Sequence, residues 1–287
     1  KSLTALSIMR LLARNATWDC QGEVLFQNGE RPAQNLLTLA ENDMRHLRGH
    51  QVAMIFQEPM TCLNPVITVG QQIAESVRLH LGLDQSSANA RALRALEQVE
   101  IPAAQQRFHE YPHQLSGGMR QRVMIAMAMV CEPRLLIADE PTTALDVTIQ
   151  AQILNLMSRL QKDTGMAMLF ISHDLAIVEH MTHRVAVMYL GRVVELAPTA
   201  ELFKHPRHPY TKALLASVLT PEPGLGLPDL ELGLSFPDPL HPPSGCTFHP
   251  RCPQATGECS LRRPELVKNG LSEVACLLYP TQAHTSS

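Results

Sequence analysis

Two hydrophobic periods alternate along this chain. Over residues 3–14 apolar side chains recur at helical spacing, with Leu3, Leu6, Met9 and Leu12 widened into a stripe by Ala5, Ile8 and Leu11, which predicts a buried first helix. Three short runs are instead continuously apolar. Residues 52–56 end in Gln57, residues 135–138 end in Asp139-Glu140, and residues 168–171 end in Ser172-His173. Such runs read as strands covered on both faces, each delivering polar residues at its carboxyl end. Residues 147–161, rich in helix formers, lie between the second and third runs. Strand, helix, strand in that order predicts an α/β fold with a parallel sheet, whose ligand chemistry gathers at the strand tips.

Residues 64–112 carry helical patterns at 69–81 and 88–99 and no convincing strand, so a helical insertion interrupts the α/β core. Apolar runs at 185–189 and 193–196 follow, and then prolines and glycines dominate 221–243, the composition of a linker or irregular tail. No internal repeat is visible.

The chain has 287 residues, 45% hydrophobic and 18% charged, enough to bury a core in one large domain or two. Its 24 Lys and Arg against 27 Asp and Glu give no bulk positive field, which argues against a nucleic-acid partner. The longest apolar run, residues 123–131, is about half of the roughly 20 residues needed to cross a bilayer. With no secretory signal pattern, a cytoplasmic setting is expected, in which routine disulfides among the seven cysteines are not. Lys1 opens the chain in mid-pattern, so the natural start is expected to lie upstream.

The strongest chemical signal is Leu115-Ser116-Gly117-Gly118-Met119-Arg120-Gln121-Arg122. Ser116 reads as the N-cap of a helix running to about residue 131, and the glycines let a phosphate approach its free N–H groups. An ordinary capped helix also accounts for Ser-Gly-Gly taken alone. Asp139-Glu140 adds two carboxylates with different uses, one to hold Mg²⁺ through water and one to polarise an attacking water. Ala144-Leu145-Asp146 just downstream and Ser172-His173-Asp174 after the next strand make coincidence improbable.

In this order the motifs resemble the ATP-binding subunits of ABC transporters. Residues 115–121 match the signature motif, 135–140 the Walker B strand, 144–146 the D-loop, His173 the switch histidine and Gln57 the Q-loop glutamine. Lys1-Ser2 matches the end of Walker A, whose glycines would precede residue 1, and weak or no ATP binding is expected of the chain as given. The resemblance implies a P-loop NTPase core with an inserted helical subdomain: core over 1–56, helical subdomain over 57–114, core again over 115–215, and an irregular cysteine-bearing extension over 216–287. It also implies roles. Lys1 would contact the β and γ phosphates, Ser2 and Asp139 would hold Mg²⁺, Glu140 would activate water, His173 would grip the γ-phosphate and Gln57 would sense it. Ser116, Gly117 and Gly118, with Gln121 and Asp146 also counted among the nucleotide-binding residues, would complete the ATP site of an identical or homologous partner in a head-to-tail dimer.

Local strings at 56–65, 111–114 and 205–211 resemble the importer branch that takes up dipeptides, oligopeptides, glutathione or nickel, with Cys62 where a serine is expected. The implied partners are two membrane permease subunits, one of them docking its cytoplasmic helix on residues 57–81, and an extracytoplasmic substrate-binding protein. The implied location is the cytoplasmic face of the inner membrane. A non-transport ABC-type ATPase is the alternative, but the coiled-coil heptads or tandem ATPase domains of such proteins are absent. His205 and His208 read as surface histidines beside prolines.

Cys246, Cys252, Cys259 and Cys276 are separated by five, six and sixteen residues. Four thiolates suit an iron–sulfur cluster or tetrahedral zinc, and compact reduced thiols are the bland reading. The tail resembles the extension of peptide-importer ATPases in which a [4Fe-4S] motif occurs. Cys20, Cys62 and Cys131 read as packing residues.

Overall fold

A computed structural model describes residues 1–12, 20–30, 32–57, 62–143, 145–217, 237–238 and 240–279, which divide into two compact units, 1–173 and 174–287. The centre of the first unit is a parallel sheet of β3 (Val52–Ile55), β4 (Leu135–Asp139) and β5 (Ala167–Ile171), side by side in chain order. Val52 pairs with Leu135 and Ile137 with Leu169, a register that brings the three carboxyl ends together. A small antiparallel pair, β1 (Leu25–Phe26) and β2 (Gln34–Asn35), precedes them. Helix α1 (Ser2–Ile8) packs Ala5 and Met9 on Val52, Met54, Ile137 and Ile171.

That helix is shorter than the apolar spacing predicts. The chain turns left-handed at Arg10, φ +51°, and the Arg10 guanidinium donates to the carbonyls of Leu36 and Leu39 at 3.4 and 2.6 Å. These tertiary hydrogen bonds override the helical stripe, and residues 13–14 lie outside those described.

Helix α2 (Glu41–Leu47) leads into β3. The predicted insertion holds helices and, among its described residues, no strand: α3 (Val69–Leu81), α4 (Gln85–Gln98) and α5 (Ala104–Arg107), joined by turns, with a 3-10 turn at Pro112–Gln114. Asp84 caps α4, accepting from the amides of Ser86 and Ser87. Helix α6 (Gly117–Met129) starts from Ser116, and α7 (Val147–Thr164) is the crossover between β4 and β5.

In the second unit Asp174 caps α8 (Leu175–Met181), and β6 (Arg184–Tyr189) turns back through Leu190-Gly191 into β7 (Arg192–Pro198). Helices α9 (Thr199–Lys204) and α10 (Pro209–Ala216) follow. The tail was expected to be irregular, yet after a 3-10 turn at His249–Arg251 and α11 (Gly257–Leu261) it forms β8 (Val267–Asn269) and β9 (Ser272–Val274). Strand β9 inserts between β7 and β8, giving the antiparallel order β6-β7-β9-β8. Phe248 carries the tail into the unit's core, with its ring 5.2 Å from Tyr189 and 5.4 Å from Tyr210. Most of the Pro- and Gly-rich stretch, residues 218–236 and 239, lies outside the described residues.

Candidate nucleotide site

The ends of β4 and β5 and the start of α1 converge on Glu140. Its backbone sits at φ +47°, a left-handed conformation that a non-glycine residue holds only when its surroundings fix it, and such positions cluster at functional sites. Here the fixing contacts are the Glu140 amide donating to Ile171 O at 2.9 Å and the Glu140 carbonyl accepting from the Thr143 amide at 3.2 Å. Around the carboxylate stand three side chains. Gln57 Nε2 donates to Oε2 at 3.1 Å, Thr143 Oγ1 donates to the same oxygen at 3.0 Å, and His173 Nδ1 lies 3.3 Å from Oε1. Burial pushes the Glu140 carboxyl up, but hydrogen bonds from Thr143 and His173, with the charges of His173 and Lys1, outweigh it and hold the group below the ordinary carboxylate range. It is therefore a pre-ionised acceptor, as a base or water-orienting group must be.

Beside it Asp139 is only 4% exposed, and the Ser2 hydroxyl donates to its Oδ1 at 3.1 Å. A hydroxyl and a buried carboxylate in contact form an all-oxygen pair, the donor chemistry Mg²⁺ takes. Lys1 Nζ donates to Ser172 O at 2.9 Å, which puts its ammonium at the tip of β5. The structure thus brings Lys1, Ser2, Gln57, Asp139, Glu140 and His173 to one end of the sheet. Thr143 was missed: nothing in the sequence distinguished it, and only the turn after Glu140 aims its hydroxyl.

Ser116, Gly117 and Gly118 form a separate feature at the start of α6. Ser116 Oγ accepts from the Met119 amide at 3.3 Å, and a side chain added at Gly117 would meet nothing within 4 Å, so that face is open for a ligand. Gly118 is different, because a Cβ there would stand 2.9 Å from Ile149 Cγ2 at the start of α7. Asp146 caps α7, accepting from the Ile149 amide at 2.9 Å. Gln121 faces inward: it is 2% exposed and its amide donates to Pro141 O, so within this chain it braces the loop after Glu140 rather than lining the open face. Ala144 and residues 58–61 lie outside those described.

In the second unit Cys246, Cys252, Cys259 and Cys276 line one small cavity of about 20 Å³ together with His208, Pro209 and Phe248. Burial pushes the Cys246, Cys252 and Cys276 thiols above the ordinary thiol range, and the neighbouring thiols add to the shift. Among the described residues no group of three or more His, Cys, Asp or Glu is placed ready to hold a metal ion. His208, expected at the surface, is 1% exposed. Its Nδ1 accepts from the Tyr210 amide at 3.0 Å, and burial pushes its pKa down to about 4 although a hydrogen bond with the Ala275 backbone opposes this. Glu195, fully buried, accepts from the amides of Arg207 and His208 at 2.9 Å each. His205 is exposed as expected. Cys131 is buried and its thiol is pushed up to about 11 by burial, which makes it an inert packing residue.

Comparison with known proteins identifies the family. The ABC transporter family matches residues 4–143, and the oligopeptide/dipeptide transporter C-terminal region matches residues 194–259. The dipeptide transport ATP-binding protein DppD of Escherichia coli is 48% identical over 267 residues, covering 93% of this chain and 79% of its own. The oligopeptide transport ATP-binding protein AppD of Bacillus subtilis is 45% identical over 289 residues, covering 100% and 86%. A peptide import ATP-binding protein of Brucella melitensis is 48% identical over 280 residues, covering 93% and 80%. Among solved structures, the dimeric post-hydrolysis state of the ATP-binding cassette MJ0796 bound to ADP and Pi superposes with a TM-score of 0.52 at 24% identity, over 58% of this chain and 70% of that one, a likeness of fold.

Proposed function

Because the chain belongs to the ATP-binding proteins of ABC transporters, in the peptide-import branch, we propose that it is the ATPase subunit that powers uptake of peptides through a membrane permease. The observation that carries the chemistry is the ring of Gln57, Thr143 and His173 around an ionised Glu140, beside the Ser2–Asp139 pair. Ser2 and Asp139 would hold Mg²⁺, and Lys1 would meet the β and γ phosphates. Bound Mg²⁺ neutralises phosphate charge. Glu140 accepts a hydrogen bond from the attacking water and orients it, His173 bridges Glu140 and the γ-phosphate, and Gln57 reports on that phosphate from the end of β3.

The open face at Gly117 supports the reading that Ser116–Gly118 serve a second subunit's nucleotide, so that hydrolysis requires a dimer, identical or homologous. Permease subunits and an extracytoplasmic binding protein complete the proposed assembly, with this subunit on the cytoplasmic face of the membrane. Among the described residues no helix is long and apolar enough to cross a membrane, which fits a peripheral subunit. The cargo is peptide, with glutathione and nickel as the other substrates of the branch. The test is hydrolysis and peptide uptake by the full-length protein assembled with its permease in vesicles. Uptake that ignores ATP, or hydrolysis that survives Glu140→Gln unchanged, overturns the proposal.

The finer reading of the tail is that Cys246, Cys252, Cys259 and Cys276 hold a [4Fe-4S] cluster. Its support is the convergence of all four thiols on one cavity. A cluster there would cross-link the loops around the cavity, and since burial favours the protonated thiols, binding must release protons. Anaerobically purified protein should be brown with about four irons per chain, the iron count of a [4Fe-4S] cluster held by four thiolates. One zinc in a colourless protein, or no metal, returns the residues to the other readings.

A further inference from the structure

Helix α6, which presents Ser116–Gly118, is fastened to its neighbours in a pattern that the hydrolytic residues do not explain. At its far end Arg91 of α4 donates to Val130 O at 2.8 Å and pairs with Glu132 at 2.8 Å. Midway along it Arg122 donates to Val99 O at 2.7 Å and to Gln152 of α7 at 3.1 Å. Glu100, just past α4, sits between two guanidinium groups: Oε2 is 3.1 Å from Arg122 and Oε1 is 2.6 Å from Arg159 of α7. Its backbone is left-handed, φ +59°. Hydrogen bonds from Arg159 and then Arg122 hold the Glu100 carboxyl below the ordinary carboxylate range. Arg159 also reaches Gln98 O at 3.4 Å. One carboxylate therefore joins three elements: the helical insertion, the helix behind Ser116 and the helix capped by Asp146.

We propose that Glu100 is a positioning residue for ATP hydrolysis, locking α6 to α7 through Arg122 and Arg159 so that Ser116–Gly118 and Asp146 are presented to a second subunit as one rigid piece. The inference rests on the proposed ATPase dimer. The carboxylate touches no reacting atom. It is also half exposed, so the pairs contribute little to folding stability, and their value lies in fixing one helix against another. Gly118 packs closely against Ile149 at the starts of the two helices, a second fixed point for the pair, and loss of the Glu100 link leaves the helices less firmly held behind their loops.

The experiment uses the full-length protein assembled with its permease. Glu100→Gln keeps the shape of the side chain and removes its charge. It should lower kcat for hydrolysis about 10-fold with KM for ATP changed less than about 2-fold, the split expected when an interaction needed only for the reactive arrangement is lost. Thermal unfolding should be unchanged, and amide exchange at 116–122 and 146–152 should rise together. Arg159→Gln should act alike, and the double variant should be no slower than either single one, as for two residues of one unit. Wild-type kcat in Glu100→Gln, or a loss of kcat matched by a lowered unfolding temperature, overturns the inference. Additive losses in the double variant overturn it too. Failure of the wild-type assembly to hydrolyse ATP overturns the functional proposal beneath it, a result distinct from an unaffected Glu100 variant.

Discussion

Glu140 gathers its ring because a strand ends one residue before it and the chain then turns left-handed, which swings its carboxylate between Thr143 of its own turn and residues from two other segments, Gln57 and His173. Glu140→Gln should lower ATP turnover about 100-fold or more, the range for loss of a group that assists proton movement, while nucleotide affinity measured by calorimetry is retained. His208 supplies a different prediction. Its imidazole is neutral in the fold, with a pKa of about 4 against 6.5 for the ordinary group, so between those values the unfolded chain binds the proton and the folded one does not. Stability should be fully present above about pH 6.5 and decline as pH falls toward 4, by up to roughly 3 kcal/mol. Denaturant melts of His208→Gln over that window should show a flatter slope. Legibility at this scale follows chain position. Gln57, Asp139, Glu140 and His173 are readable because each closes an apolar strand, whereas Thr143 acts through a turn and His208 is buried by tail residues forty and more positions away, which no local pattern records.

Among the elements, the parallel strands and the crossover helix were readable because their apolar runs are continuous and their pairing is with one another. Strands β8 and β9 were not. Lys268 and Glu273 face each other in short segments with few apolar residues, and their strand character comes from the exposed edge of β7, where Val274 pairs with Glu195. Two glycines set tolerances between elements. A Cβ on Gly70 at the start of α3 would fall on the Phe108 ring, whose own carbonyl accepts from the Gly70 amide at 3.0 Å. Gly70→Ala should therefore destabilise the helical insertion by about 1–3 kcal/mol, the usual cost of overpacking, read as a lowered denaturation midpoint. Gly245 lies at φ +65°, with the carbonyl of Cys259 where a side chain would start, and the Cys246 amide donates to that carbonyl at 2.8 Å. Gly245→Ala should spread the thiol loop, and accessibility of Cys246 and Cys259 to a thiol reagent should rise while the far-UV spectrum is retained.

For the whole molecule, the division at His173 puts the proposed nucleotide residues in one unit and the thiol cavity in the other. Cys276→Ser should accordingly abolish any metal content while ATP turnover of the assembled protein falls by less than about 2-fold, within the modest range of changes remote from chemistry. Proportional loss of both would join the two units functionally. The interposition of β9 between β7 and β8 bears on how this chain can be cut. A shortened version ending near residue 243 resembles a clean removal of a decorative tail. It would in fact strip the partner from β7, bare the amide and carbonyl row of Glu195 and Leu196, and take Phe248 and Val274 out of the hydrophobic interior. An unpaired edge over an opened core recruits strands from other molecules. The shortened chain should collect in inclusion bodies or soluble oligomers, and its nucleotide chemistry would be lost to aggregation before any catalytic group had been touched.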